Sequence, residues 1–129
     1  MLYQNILIID DDEDDQEIFL SALENAADSV KCVALSNAVQ AFEKLRKNEL
    51  DTDIIFLDLN MPVMDGIQFL EAYQQLPAEE RRPIVVVMLT SSVNPRDQQR
   101  VLELPIADYL DKPLTQQQVE RVLAQHCAA

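Results

Sequence analysis

Three short runs of this chain are apolar without interruption: Ile6 to Ile9 (ILII), Ile54 to Leu57 (IIFL) and Ile84 to Leu89 (IVVVML). All are rich in β-branched residues, and none alternates with polar ones. A strand with one wet face alternates, whereas a strand covered on both faces has no polar side to show. The runs therefore predict a sheet between two layers of helices, with parallel strands joined by helical crossovers. Two weaker strands, Lys31 to Leu35 and Ala107 to Leu110, complete the set.

Between the strands the apolar period becomes that of a helix. Ile18, Phe19, Ala22, Leu23 and Ala26 make one stripe; Ala38, Ala41, Phe42 and Leu45 make a second; Phe69, Leu70, Tyr73 and Leu76 make a third. These stripes are core faces rather than cofactor boxes. Two further helices are marked by their starts. Asn94-Pro95 supplies an N-cap and then a proline at the first helical position, where a missing N–H costs nothing. Thr115 with Gln118 spells a capping box, backed by Val119, Val122 and Leu123. Strand and helix alternate five times with no linker, repeat or low-complexity tract. The chain is predicted to be one doubly wound α/β domain over residues 1–129, with a five-stranded parallel sheet.

Composition narrows the function. Asp and Glu number 23 against 10 Lys and Arg, a net charge of −13. Nucleic acid is therefore not expected as a direct partner, because phosphate binding relies on basic residues. Gly66 is the only glycine, so neither G-x-x-x-x-G-K-[ST] nor G-x-G-x-x-G can be written. Cys32, Cys127 and the single His126 cannot complete a zinc site. No signal peptide precedes the first acids, and no run approaches the ~20 apolar residues of a membrane span. A soluble, cytoplasmic protein with no membrane partner is the expectation.

In doubly wound sheets, ligands bind beyond the carboxyl ends of the strands. After ILII come Asp10, Asp11, Asp12, Glu13, Asp14 and Asp15; after IIFL comes Asp58, then Leu59-Asn60-Met61-Pro62. After IVVVML come Thr90, Ser91 and Ser92, and Tyr109-Leu110-Asp111 leads into Lys112-Pro113. Acids at a helix start gain roughly 0.3–1 kcal/mol each from the helix dipole, which accounts for Asp12 to Asp15. Asp10, Asp11 and Asp58 are left over, because they abut buried strands. Three buried carboxylates are costly without a cation, and hard oxygen ligands favour Mg2+. A divalent metal beside a carboxylate, a hydroxyl and a lysine makes a site for a phosphoryl group. There Asp58 is the obvious nucleophile, and Lys112 and the metal offset charge. Asp11-Asp12 would also serve as the acidic pair; strand alignment favours Asp10-Asp11.

Taken together, Asp10-Asp11, Asp58 in IIFLDLNMPVMDG, Thr90, Tyr109 and Lys112-Pro113 resemble the receiver domain of bacterial two-component response regulators, over roughly Gln4 to Ala124. The resemblance implies a flavodoxin-like (βα)5 fold and a role for each residue. Asp58 would accept a phosphoryl group from a sensor histidine kinase, a histidine phosphotransfer protein or a small acyl phosphate. Asp11, Asp58 and the main-chain carbonyl of Asn60 would hold Mg2+, with Mn2+ as a substitute and Asp10 acting mainly through water. Lys112 and Thr90 would contact the phosphoryl oxygens, and the Lys112–Pro113 bond would be cis. Thr90 and Tyr109 would form the switch, while Asn60 and Ser92 would tune the phosphoryl lifetime. The output would be binding to an unknown protein target rather than enzymatic turnover. No output domain is expected after Ala129, and the protein would be a monomer or weak homodimer.

One departure from the family stands out. Leu104-Pro105-Ile106-Ala107-Asp108 carries proline where glycine is usual, which predicts a stiffer loop and a restricted switch. Two other functions compete. A dehalogenase-like phosphohydrolase needs D-x-D, and here the second position is Asn60, which cannot shuttle a proton. A receiver-like interaction module that is never phosphorylated would have no use for the complete acceptor set. The remaining residues are assigned structural roles: His126 at a helix end, Cys32 as a strand hydrophobe, Cys127 as a tail residue, Tyr3 and Tyr73 in packing, and Gly66 in a turn after Asp65.

Overall fold

The computed structural model of the chain describes residues 4–26, 30–81, 83–90 and 95–126. Strands β1 (Asn5–Ile9), β2 (Lys31–Leu35), β3 (Ile54–Asp58), β4 (Val85–Thr90) and β5 (Asp108–Asp111) alternate with helices α1 (Glu13–Ala26), α2 (Ala38–Arg46), α3 (Gly66–Gln74), α4 (Pro95–Leu102) and α5 (Gln116–His126). The strands form one parallel sheet in the order β2-β1-β3-β4-β5. The predicted strands are all present, with ends displaced by a residue at most. The chain runs outward from β1 to β2 and returns to β3, so the strand order reverses between β1 and β3. A crevice opens there, at the carboxyl ends.

Period-2 geometry sends alternate side chains of each strand to opposite layers. Ile6, Ile8, Phe56, Val87 and Leu89 pack against Phe19, Ala22 and Leu23 of α1 and Val119, Val122 and Leu123 of α5. Leu7, Ile9, Ile55, Leu57 and Met88 pack against α2 and α3 through Ala41, Leu45, Phe69 and Leu70, with Val101 of α4. Each large side chain buried in this way contributes roughly 1.5–3 kcal/mol, so the central strands hold the fold. Burial on both faces is found for β1, β3 and most of β4. Edge strand β2 differs: Val33 and Ala34 remain exposed.

The helix starts depart from the sequence pattern in instructive ways. Pro95 opens α4 as predicted, whereas its expected cap Asn94 lies outside the described residues, as do Tyr3, Ser91, Ser92 and Cys127. At α5 the capping box is made on one side only. The Gln118 N–H donates to Thr115 Oγ1 (3.2 Å), but Gln118 Oε1 is buried without a partner. A complete box appears where none was expected: the Gln68 N–H donates to Asp65 Oδ1 (2.8 Å) and the Asp65 N–H donates to Gln68 Oε1 (3.0 Å). At α1, Asp12 accepts the N–H groups of Asp14 (2.9 Å) and Asp15 (3.4 Å).

Gly66 follows the cap Asp65 where the chain turns into α3, and it does so without a left-handed φ. It opens α3, and its N–H donates to the Leu59 carbonyl (2.9 Å). A Cβ at this position would lie 2.6 Å from the Asp58 carbonyl oxygen and 3.0 Å from Leu59 Cα. Glycine is required here because helix and strand end approach so closely.

The left-handed conformation falls instead on Asn48 (φ 59°), a residue that tolerates it, and on Val63 (φ 69°) in the loop after β3. A β-branched residue there costs about 1–2 kcal/mol, and at 89% exposure Val63 recovers little by packing. Val63→Asn is expected to stabilise the fold by about 1 kcal/mol, raising the melting temperature by roughly 3–6 °C. Thermal melting of the two proteins checks this, and a lower midpoint in the variant would refute the strain.

Candidate functional site

The strand ends bring the expected residues together. Asp10 follows β1 directly, Asp58 ends β3, Thr90 ends β4, and Lys112-Pro113, joined by a cis peptide bond, follows β5. Asp10 and Asp58 are buried while Asp11 is exposed, and one carboxylate oxygen from each of the three lies within 4.8 Å of the others. The acidic pair is therefore Asp10-Asp11, and Asp12 is the cap of α1.

Backbone groups set the orientation of the two buried carboxylates. The Asp12 N–H donates to Asp10 Oδ1 (2.9 Å) and the Asn60 N–H donates to Asp58 Oδ1 (3.1 Å). This leaves both Oδ2 atoms for Lys112, whose Nζ lies 3.0 Å from that of Asp10 and 3.2 Å from that of Asp58. Lys112 is itself tethered by its N–H, which donates to the Thr90 carbonyl (2.8 Å). Gln16 braces Asp10 from behind by donating Nε2 to its carbonyl (2.6 Å).

One participant escapes the sequence pattern. Asp15 belongs by position to the helix start, and it does lie in the first turn of α1. Yet its side chain points inward, and its Oδ2 is the nearest carboxylate to Lys112 Nζ, at 2.8 Å. A signal exists in the sequence: Asp15 stands four residues before Phe19 and seven before Ala22, on the same buried stripe.

Burial, followed by the negative charge of Asp10, pushes the Asp58 carboxyl up from 3.8 to about 7, against the pull of Lys112. Burial likewise raises Asp10, with the Asp12 N–H and the lysine opposing it. For Lys112, burial acts to lower the pKa, but the hydrogen bonds to Asp15 and Asp10 and the charge of Asp58 outweigh it and raise it. Three carboxylates thus share one ammonium, with Asp11 beside them. The fully buried Asp10 Oδ2 is met only by the Lys112 ammonium, at 3.0 Å. The donor set is all carboxylate oxygen, so the residues fit a hard divalent cation. The cleft is lined by Asp11, Asp12, Asp15, Asp58, Asn60, Lys112 and Pro113.

Thr90 is half-buried, and Tyr109 is 51% exposed at the edge of a second cleft lined by Leu59, Thr90, Gln98, Val101 and Leu102. The Asn60 side chain is exposed. His126 pairs with Asp108 at 3.5 Å, at the opposite end of β5 from the acids. Cys32 is half-buried in β2, and Tyr73 is buried, stacked on Phe69.

A parallel 2-1-3-4-5 sheet with an acidic pair, a strand-end aspartate and a lysine before a cis-proline defines a receiver-type signalling module. The family model for the response regulator receiver domain matches residues 6–124, and the chain belongs to that family. Histidine-protein kinase BarA of Escherichia coli is 26% identical over 126 residues, which cover 97% of this chain but 13% of the kinase. This chain thus spans about an eighth of that relative's length. The Mn(2+)-bound form of response regulator Rcp1 superposes with a TM-score of 0.77 at 27% identity, covering 95% of this chain and 90% of that one. The phosphorylated cyanobacterial phytochrome response regulator RcpA gives 0.78 at 26% identity, with the same coverages of 95% and 90%. Among the described residues no helix is long and apolar enough to cross a membrane.

Proposed function

We propose that this protein is a phosphoacceptor of a two-component phosphorelay, with Asp58 as the acceptor. The observation that carries this reading is the placement of one buried carboxylate at the mouth of an open cleft, between a lysine and a separate acidic pair. The donor is a phosphohistidine on a sensor histidine kinase or phosphotransfer protein, or a small acyl phosphate. An Asp58 oxygen attacks phosphorus and the bond from phosphorus to the imidazole nitrogen breaks; its electron pair stays on that nitrogen, and the ring, already carrying a proton on its other nitrogen, leaves as neutral imidazole. The product is an acyl phosphate on Asp58. Phosphorylated RcpA and Mn(2+)-bound Rcp1 support both the modification and the cation.

Each residue has a task in this scheme. Lys112 supplies an ammonium to the phosphoryl oxygens as charge moves onto them. The Asn60 N–H orients the Asp58 carboxylate by holding its other oxygen. Asp10, Asp11, Asp58 and the Asn60 carbonyl would hold Mg2+. When bound, the cation would keep Asp58 ionised at neutral pH and neutralise the incoming charge. Thr90 then moves its hydroxyl to the new acceptor oxygens, and Tyr109 turns into the neighbouring cleft, changing the surface that a downstream protein reads. The net charge of −13 argues against nucleic acid as that target, and we place the protein in the cytoplasm with its kinase.

Incubation with Mg2+ and acetyl phosphate, read by intact mass, is expected to show a single phosphoryl adduct that hydroxylamine removes. The absence of an adduct would favour a silent interaction module. Steady phosphate release from diverse monoesters would favour a hydrolase.

A further inference from the structure

Lys112 is only 12% exposed, and its nearest counter-ion lies outside the acid set that fits a metal. Of its three carboxylate partners, Asp10 and Asp58 belong to that set and Asp15 does not. This division matters once a divalent cation enters. Two of the lysine's partners would then be engaged by a stronger charge that also repels the ammonium. A largely buried ammonium left without a partner is strongly unfavourable, whereas one that keeps a short charge-assisted hydrogen bond is not. The grouped carboxylate oxygens of Asp10, Asp11 and Asp58 mark the side of the site toward which such a cation would be drawn.

We propose that Asp15 is a positioning residue: it retains Lys112 when a divalent cation takes over Asp10 and Asp58, so that cation and ammonium occupy the site together. The proposal rests on the phosphoacceptor reading only in requiring a metal at the acidic pair. Asp15 needs no contact with the phosphoryl group, because it acts through Lys112.

The test is a thermodynamic cycle on the unphosphorylated protein. Mg2+ is titrated calorimetrically into the wild type, Asp15→Asn, Lys112→Met and the double variant. Asp15→Asn alone is expected to weaken Mg2+ binding by about five- to tenfold, within the range that directly coupled residues show. In the Lys112→Met background the same change should stay within about twofold, since no ammonium remains to be held. Equal weakening in both backgrounds would overturn the proposal, leaving Asp15 as a distant charge, and no weakening in either would overturn it too. A wild type that binds no Mg2+ would sink the phosphoacceptor reading as well, so the two failures are distinguishable. Cooperative melting of each variant controls for folding, and Asp15→Ser enters the same cycle should the Asp15→Asn variant fail it.

Discussion

Asp58→Asn is expected to abolish the phosphoryl adduct and, at the same time, to make the protein more stable at alkaline pH. The loss of the adduct follows from chemistry, because an amide offers no nucleophilic carboxylate oxygen. The gain in stability follows from linkage. Asp58 has an ordinary carboxylate value of 3.8 when unfolded and about 7 when folded, so the native state holds its proton more tightly. As pH rises from about 4 to about 7 the unfolded state binds fewer protons than the native one, and stability falls; above about 7 the whole penalty is present. At 1.36 kcal/mol per pH unit this gap corresponds to roughly 4 kcal/mol. The amide does not reproduce every hydrogen bond of the protonated carboxyl, which takes back part of it and leaves about 2 kcal/mol in favour of the variant. Thermal melts without Mg2+ should place the Asp58→Asn variant roughly 6–12 °C above wild type at pH 8, with the gap closing toward pH 4. Mg2+ should narrow the gap at pH 8 by stabilising the wild type more. A variant less stable than wild type at pH 8 would show that the carboxylate is not under electrostatic strain.

Gly66→Ala should have the opposite effect on the fold. Helix propensity alone predicts that alanine stabilises by about 1 kcal/mol. Here the added Cβ meets the Asp58 carbonyl oxygen at 2.6 Å, and neither that oxygen nor the Cβ can rotate out of the way. Backbone must therefore shift, and the overpacking cost, commonly about 1–3 kcal/mol and sometimes more, outweighs propensity. A net loss of about 2 kcal/mol is expected in urea midpoints at unchanged slope. The displaced carbonyl belongs to Asp58, the proposed acceptor, so the initial rate of adduct formation should fall at least about tenfold, since small misplacements of reacting groups are costly. Stabilisation at an unchanged rate would mean that α3 can move away freely.

The sheet was legible because unbroken β-branched runs have few alternative homes, and the site was legible because a doubly wound sheet says where to look. Edge strand β2 was harder, since Lys31 to Leu35 carries no uniform pattern and its pairing is settled by β1 alone. Asp15 was hidden by its neighbours: helix-start electrostatics explains Asp12, Glu13, Asp14 and Asp15 equally well. Only the phase of the stripe through Phe19 separates it, and phase is read reliably only once the helix start is known. The reason for Gly66 was not legible either. A turn and a close approach call for the same residue, and the distance to Asp58 is a property of tertiary packing. Thr115-Gln118 matched a capping box that closes on one side, whereas Asp65-Gln68 closed a full one, because side-chain rotamers there answer to the surrounding packing.

The lysine that ties the site together stands about a hundred residues from Asp10, and its partners come from the end of β1, the first turn of α1 and the end of β3. A contact of such long range requires that the chain between its ends be closed into one loop, with the entropy cost that closure carries. The site therefore does not exist in partly folded forms in which β1 and β3 are paired but β5 is not. A transient opening of the β5–α5 unit would dissolve the acceptor chemistry before the sheet's centre loosened. Competence to take up phosphate thus doubles as a built-in check that the last unit has docked.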